Sequence, residues 1–169
     1  IPDSGNSAAL GYSLESGIPL EIGMTRNHYV GRTFIQPNQQ TRDFQVRVKF
    51  NPVRAALTGK RVVVIDDSIV RGTTCKARLK SIRDAGAKEI HMRVSCPPIM
   101  NPCFSGIDFP TRKELIACTH SLGEIRKFLE VDSLGYLSLE GLLSAVKGPK
   151  NYCTACYSGK YPLPFGPEA

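Results

Sequence analysis

The chain has 169 residues, room for one domain or a large part of one, with 41% hydrophobic, 8% aromatic and 22% charged residues. That balance excludes a disordered chain, and no apolar run is long enough to span a bilayer. The formal net charge of +7 fits simple solubility or an anionic partner, and because the basic residues are spread along the chain it favours a small phosphorylated ligand over a nucleic-acid arm.

Residues 1–5, with Pro2 and Gly5, read as a tight loop. Residues 6–16 are mildly helical, with Ala8, Ala9, Leu10 and Leu14 on or near one face and Gly17 and Pro19 as the stop. A short strand is expected at 20–22. Residues 25–42 are polar and unpatterned, with Arg26, Arg32 and Arg42 scattered among them; a loop that long inside a domain is functional or mobile. Phe44, Val46, Val48 and Phe50 then alternate with Gln45, Arg47 and Lys49, the pattern of a half-buried strand with a basic outer face. Val62, Val63, Val64 and Ile65 form a β-branched run expected of a central parallel strand buried on both sides. A helix follows, with Cys75, Leu79 and Ile82 sharing a face and Gly86 as its stop, and Ile90, Met92 and Val94 alternate as the next strand. Strand, loop, helix, strand is a βαβ unit, which implies an open α/β sheet with ligands at the C-terminal strand ends.

The remainder is helical and irregular. An irregular stretch runs from Cys96 to Pro110. Thr111 and Glu114 have capping-box spacing and predict a helix towards Cys118; Ser121 and Glu124 repeat it, ahead of Ile125, Phe128 and Leu129. Ser138 precedes a third short helix bearing Leu139, Leu142, Leu143 and Val146, and Gly148 and Pro149 stop it.

The chemistry concentrates at the end of the β-branched run, in Asp66, Asp67, Ser68, Ile69, Val70, Arg71, Gly72, Thr73 and Thr74. Backbone N–H groups of such a loop, with the helix N-terminus behind it, hold a phosphate. Gly72 lets the backbone come close, and Ser68, Thr73 and Thr74 add hydroxyl donors. The two acids would repel that phosphate; they suit sugar hydroxyls or Mg²⁺. The ligand so described is a phosphorylated sugar with vicinal hydroxyls. The plainer alternative is a buried strand with an exposed acidic turn.

This string resembles the phosphoribosyl pyrophosphate signature of type I phosphoribosyltransferases. The resemblance implies that Asp66 and Asp67 contact the ribose hydroxyls and take part in magnesium binding, and that residues 68–74 wrap the 5'-phosphate. Pro2, Asp3, Ser4 and Gly5 resemble the pyrophosphate loop of amidophosphoribosyltransferases, in which the serine also contacts the metal. Residues 27–35 resemble the flexible loop of that family, and Cys96-Pro97-Pro98, Asp132-Ser133-Leu134 and Leu139-Glu140-Gly141-Leu142 its C-terminal region. The resemblance extends to about Pro162. It implies a type I phosphoribosyltransferase-like α/β fold, a parallel sheet with flanking helices, in three stretches: a partial core over 1–98, a helical and cysteine-containing region over 99–162, and a loose tail over 163–169. Ile1 stands inside the pyrophosphate-loop motif, so the chain is expected to be N-terminally truncated.

The implied activity is the first step of de novo purine synthesis. Ammonia displaces pyrophosphate from phosphoribosyl pyrophosphate to give phosphoribosylamine, the ammonia coming from glutamine hydrolysed in a missing N-terminal domain. Arg32 and Lys49 are the candidates for stabilising the leaving pyrophosphate, and Arg26 is a weaker one that reads equally well as a solvated charge. A cytoplasmic homo-oligomer without nucleic-acid or membrane partners is expected. The alternatives are a salvage phosphoribosyltransferase and a non-catalytic sensor of phosphoribosyl pyrophosphate.

Six cysteines are present. Cys153 and Cys156 are spaced for a zinc half-site or a redox pair. The resemblance instead implies the iron–sulfur bacterial type, in which Cys103, Cys153 and Cys156 hold a [4Fe–4S] cluster whose fourth ligand lies upstream of this chain. Cys75, Cys96 and Cys118 read as packing residues.

Overall fold

The computed structural model describes residues 1–29, 49–107, 111–146 and 151–163. Its centre is the βαβ unit expected from residues 61–94. Strand β3 (Arg61–Asp66) pairs in parallel with β4 (Glu89–Val94), Val64 opposite Met92 and Asp66 opposite Val94. Strand β5 (Ser133–Tyr136) pairs in parallel with the other edge of β4, giving the order β3-β4-β5. Helix α3 (Thr73–Asp84) crosses between β3 and β4 and buries Cys75, Leu79 and Ile82, the three residues its spacing singles out. Helix α5 (Leu122–Leu129) packs beside it with Ile125 and Leu129 inward. On β4 the alternation is complete: Ile90, Met92 and Val94 are buried and Glu89, His91 and Arg93 half-buried. Met92, fully buried, is at the middle of the core.

Among the described residues the β-branched run of β3 is not flanked by strands on both sides. There β4 holds the central place and β3 is an edge of the three-stranded sheet, with Val62 and Val63 only half-buried. Helix α1 (Asn6–Ser16) lies against β3, but none of its residues is buried, and Leu10 and Leu14 are exposed. The strand expected at 20–22 is displaced. Leu20 and Ile22 are exposed, while β1 (Met24–Arg26) pairs antiparallel with β2 (Phe50–Pro52), burying Met24 and Phe50. Residues 44–48 of the expected basic strand lie outside the described residues. A short helix, α2 (Arg54–Leu57), leads back to β3.

The helix expected from Thr111 is broken in two. A 3₁₀ turn (Arg112–Glu114) and α4 (Ile116–Thr119) flank Leu115, which is extended and fully buried. The capping box does not form there, because the Glu114 carboxylate is taken by the Thr111 hydroxyl at 3.0 Å and by Arg71. At Ser121 the box does form, and Ser138 caps α6 (Leu139–Ala145). A last turn, α7 (Ala155–Ser158), carries Cys156. No helix among the described residues is long and apolar enough to cross a membrane.

Candidate functional site

The two loops singled out by sequence meet where β3 ends. The Ile1 backbone nitrogen donates to the Ile65 carbonyl at 2.6 Å, laying residues 1–5 across the strand end. A Cβ on Gly5 would sit 2.7 Å from the Ile65 carbonyl oxygen, so only glycine allows this approach. Helix α1 begins at the next residue with no side-chain cap. On the other side Gly72 takes φ 78°, and a Cβ there would meet Ile116 Cδ1 at 2.9 Å and Phe128 Cε1 at 3.0 Å. Helix α3 begins at Thr73, again with no side-chain cap and no acid in its first turn.

Helices α5 and α6 are each capped by a serine, whereas α1 and α3, like the four-residue helices α2, α4 and α7, have no side-chain cap. The first turn of a helix has backbone N–H groups without intrahelical partners, at the positive end of the helix dipole. In α1 the Asn6 N–H donates to the Asp3 carbonyl at 3.2 Å and no side chain caps the rest of the first turn; α3 likewise has no side-chain cap, and both helices begin at the same strand end. Each is a suitable anion site.

The loop between β3 and α3 is held from behind. Ile69 is buried, the Val70 carbonyl accepts from Ile116 N at 2.9 Å, and Arg71 Nε donates to Glu114 Oε2 at 2.5 Å. Thr73 and Thr74 are exposed, and the half-buried Ser68 donates to Asp67 Oδ1 at 3.3 Å.

The adjacent acids face different ways. Asp67 is exposed. Asp66 is only 2% exposed, its Oδ1 accepting from the Asp67 N–H at 3.0 Å and its Oδ2 from Arg78 Nη1 at 3.2 Å. Burial pushes the Asp66 carboxyl up to about 6; the Arg78 charge and the Asp67 N–H oppose this, and the Asp67 charge adds to it. Burial also pushes the Cys75 thiol up to about 12 and the Cys96 thiol up to about 11, which keeps both neutral as packing residues require.

Of the basic candidates, Arg26 is no free solvated charge: its Nη1 pairs with Asp3 Oδ2 at 2.5 Å, tying β1 to the first loop. Asp3 and Ser4 are exposed. Lys49 is half-buried just before β2, and its carbonyl accepts from Asn27 N at 2.8 Å. Arg32 lies outside the described residues. Arg78 was not singled out by sequence; it is one of four basic residues of its helix, with Lys76, Lys80 and Arg83, and nothing in the spacing sets it apart.

The cysteine segments come together. Met100 N and Asn101 N donate to the Cys156 carbonyl at 2.9 and 3.0 Å, Tyr161 Oη donates to the Pro102 carbonyl at 2.7 Å, and the Phe104 and Tyr161 rings lie 5.3 Å apart. Cys103, Cys118 and Cys156 pack around Ile99 and Leu115, and Cys153 is exposed. Burial, and then the nearby Cys103, raise the Cys156 thiol. Among the described residues no group of three or more His, Cys, Asp or Glu stands ready to hold a metal ion.

The position of Asp66 predicts a pH effect. A carboxyl raised from 3.8 to about 6 adds stability while protonated; this is fully present below pH 4 and is lost as pH rises through 6. Asp66→Asn removes that dependence. Urea unfolding of both proteins from pH 4 to pH 7 should show the variant gaining on the wild type by up to roughly 3 kcal/mol. A difference constant with pH would contradict it.

No protein-family model matches the chain. The amidophosphoribosyltransferase of Methanothermobacter thermautotrophicus is 55% identical over 166 residues, covering 98% of this chain and 35% of that protein. The chloroplastic amidophosphoribosyltransferase of Glycine max is 54% identical over 164 residues, covering 96% of this chain and 29% of that protein. The solved glutamine phosphoribosylpyrophosphate amidotransferase of B. subtilis, complexed with ADP and GMP, superimposes with a TM-score of 0.81 at 51% identity, covering 95% of this chain and 36% of that one. The chain thus spans about a third of the length of the relatives it matches. Over nearly its whole length it matches amidophosphoribosyltransferases from archaea, plants and a cyanobacterium at 52–57% identity, and its parallel sheet with flanking helices is the type I phosphoribosyltransferase-like fold of the solved amidotransferases.

Proposed function

We propose that this chain is the phosphoribosyl pyrophosphate centre of an amidophosphoribosyltransferase. The observation that carries the reading is the pair of uncapped helix N-termini, at Gly5 and Gly72, opening at one strand end beside the exposed Asp67. A ligand with a phosphate at one end, a pyrophosphate at the other and a ribose between them has the matching charge pattern. The α3 N-terminus, with Thr73 and Thr74, takes the 5'-phosphate. Residues 2–5 and the α1 N-terminus take the pyrophosphate, and the exposed Asp67, with the buried Asp66 beside it, accepts from the ribose hydroxyls.

In the reaction the ammonia nitrogen forms a bond to the anomeric carbon, the bond from that carbon to the pyrophosphate oxygen breaks, and the nitrogen loses a proton. Negative charge grows on the pyrophosphate, where fixed N–H dipoles and nearby cations stabilise it most. Lys49 and Arg32 are the proposed side-chain cations. The Arg26–Asp3 pair keeps the Asp3 charge from repelling the leaving group. Mg²⁺ is held through one or two carboxylates together with substrate phosphates. The open carboxylate of Asp67 and the exposed Ser4 suit that donor set, whereas Asp66 is turned towards Arg78. When bound, the ion would neutralise pyrophosphate charge.

We further read the enzyme as a cytoplasmic homo-oligomer of the iron–sulfur type, in which Cys103, Cys153 and Cys156 hold a [4Fe–4S] cluster together with a ligand from elsewhere in the longer protein. The packing of Cys103 and Cys156 in one cluster supports this; Cys153 is exposed, and the three are not gathered around one point in this structure. Its role is structural, since the displacement moves no electron through it.

The full-length protein, given Mg²⁺ and ammonium, should release pyrophosphate from phosphoribosyl pyrophosphate only when ammonium is present. Asp66→Ala with Asp67→Ala should lower that rate at least about 100-fold with an unchanged circular dichroism spectrum. Binding without release would identify a sensor. Purified without air, the same protein should contain iron and acid-labile sulfide in equal amounts; stoichiometric zinc with no iron would overturn the cluster.

A further inference from the structure

We infer that Arg78 is a positioning residue that holds the Asp66 carboxylate in place for the sugar; this rests on the site reading above. Three elements meet in this one side chain. It springs from α3 beside the buried Cys75 and Leu79, and it is 21% exposed, so its stem runs along the core and only its head reaches the site. Nη1 donates to Asp66 Oδ2 at 3.2 Å at the end of β3. The guanidinium carbon lies 4.4 Å from the centre of the Phe50 ring, which is itself buried at the start of β2. A planar cation on an aromatic face has few ways to turn.

Asp66 is thereby fixed at both oxygens, by Arg78 on Oδ2 and by the Asp67 N–H on Oδ1. Each carboxylate oxygen has a second lone pair, so a sugar hydroxyl can still donate to it. Without the guanidinium the carboxylate would be a buried charge with no partner cation, a state that is strongly disfavoured and relieved by rotation or protonation. The effect on the ligand should therefore be local. The ribose end loses its acceptor, while residues 2–5, which make no hydrogen bond to Asp66 or Arg78, should keep most of their hold on the pyrophosphate end.

Arg78→Met in the full-length enzyme removes the charge and keeps the length. It should weaken ribose 5-phosphate binding about 10- to 100-fold, the size of a lost charge-assisted hydrogen bond, and lower kcat with ammonium. Inhibition by inorganic pyrophosphate should stay within about twofold. Arg78→Lys should recover much of the loss. Parallel weakening of both ligands with a lowered Tm would mean a merely structural role and overturn the inference, as would unchanged ribose 5-phosphate binding. If Arg78→Met does not fold, Asp66→Asn is compared with Asp66→Asn/Arg78→Met. Equal ribose 5-phosphate affinities support the inference, because Arg78 then acts only through Asp66, and a further loss in the double variant refutes it. Wild-type enzyme that binds neither probe would sink the site reading and this inference together; wild type that binds both, with an unaffected variant, would sink this inference alone.

Discussion

Close backbone approach at two glycines is the constraint on which the site depends. Gly5 presses onto the Ile65 carbonyl, and Gly72 fits against Ile116 and Phe128. A side chain at Gly5 would collide with the backbone of Ile65, and one at Gly72 would strain a backbone held at φ 78°. With glycine at both, α1 and α3 begin within the same small region, and their uncapped first turns make it electropositive without a cluster of exposed cations. The carboxylates stand among these dipoles, where they repel a phosphate but accept from hydroxyls. A ligand that is anionic at its ends and hydroxylated in its middle would match this arrangement, as proposed above.

The C-terminal region is part of this arrangement. Ile116 donates its N–H to the Val70 carbonyl, Glu114 pairs with Arg71, and Phe128 closes over Gly72. Val70 also packs against the cluster of Ile99 and Leu115 that includes Cys103, Cys118 and Cys156. The phosphate loop thus rests on the same residues that bring the cysteine segments together. Loss of order among those cysteines would reach the loop through Leu115 and Val70, with no cysteine touching a ligand.

Much of this was legible in the sequence, for identifiable reasons. The change from the continuous run Val62 to Ile65 to the helical spacing of Cys75, Leu79 and Ile82 located β3 and α3, because a buried strand and a helix with one buried face leave different patterns. The loop at 66–74 was legible because acids, glycine and threonines there have chemistry but no packing role. What was not legible depended on neighbours distant in sequence. Val62 to Ile65 read as a central strand, yet partner order decides which strand is central, and among the described residues β4 has that place. Thr111 and Glu114 read as a capping box until Arg71, distant in sequence, claimed the carboxylate. Asp66 and Asp67 read as an equivalent pair, while Arg78 turns one inward and leaves the other exposed. Arg26 read equally well as a solvated charge, and only the fold brings it to Asp3.

The most direct measurement of the central claim is calorimetric titration of ribose 5-phosphate and of pyrophosphate into the full-length protein and its Gly5→Ala and Gly72→Ala variants. If two helix N-termini serve the two ends of one ligand, Gly5→Ala loses mainly pyrophosphate affinity and Gly72→Ala mainly ribose 5-phosphate affinity. If both variants lose both ligands equally, or neither loses either, the two helix ends are not separate anion sites and the account is wrong.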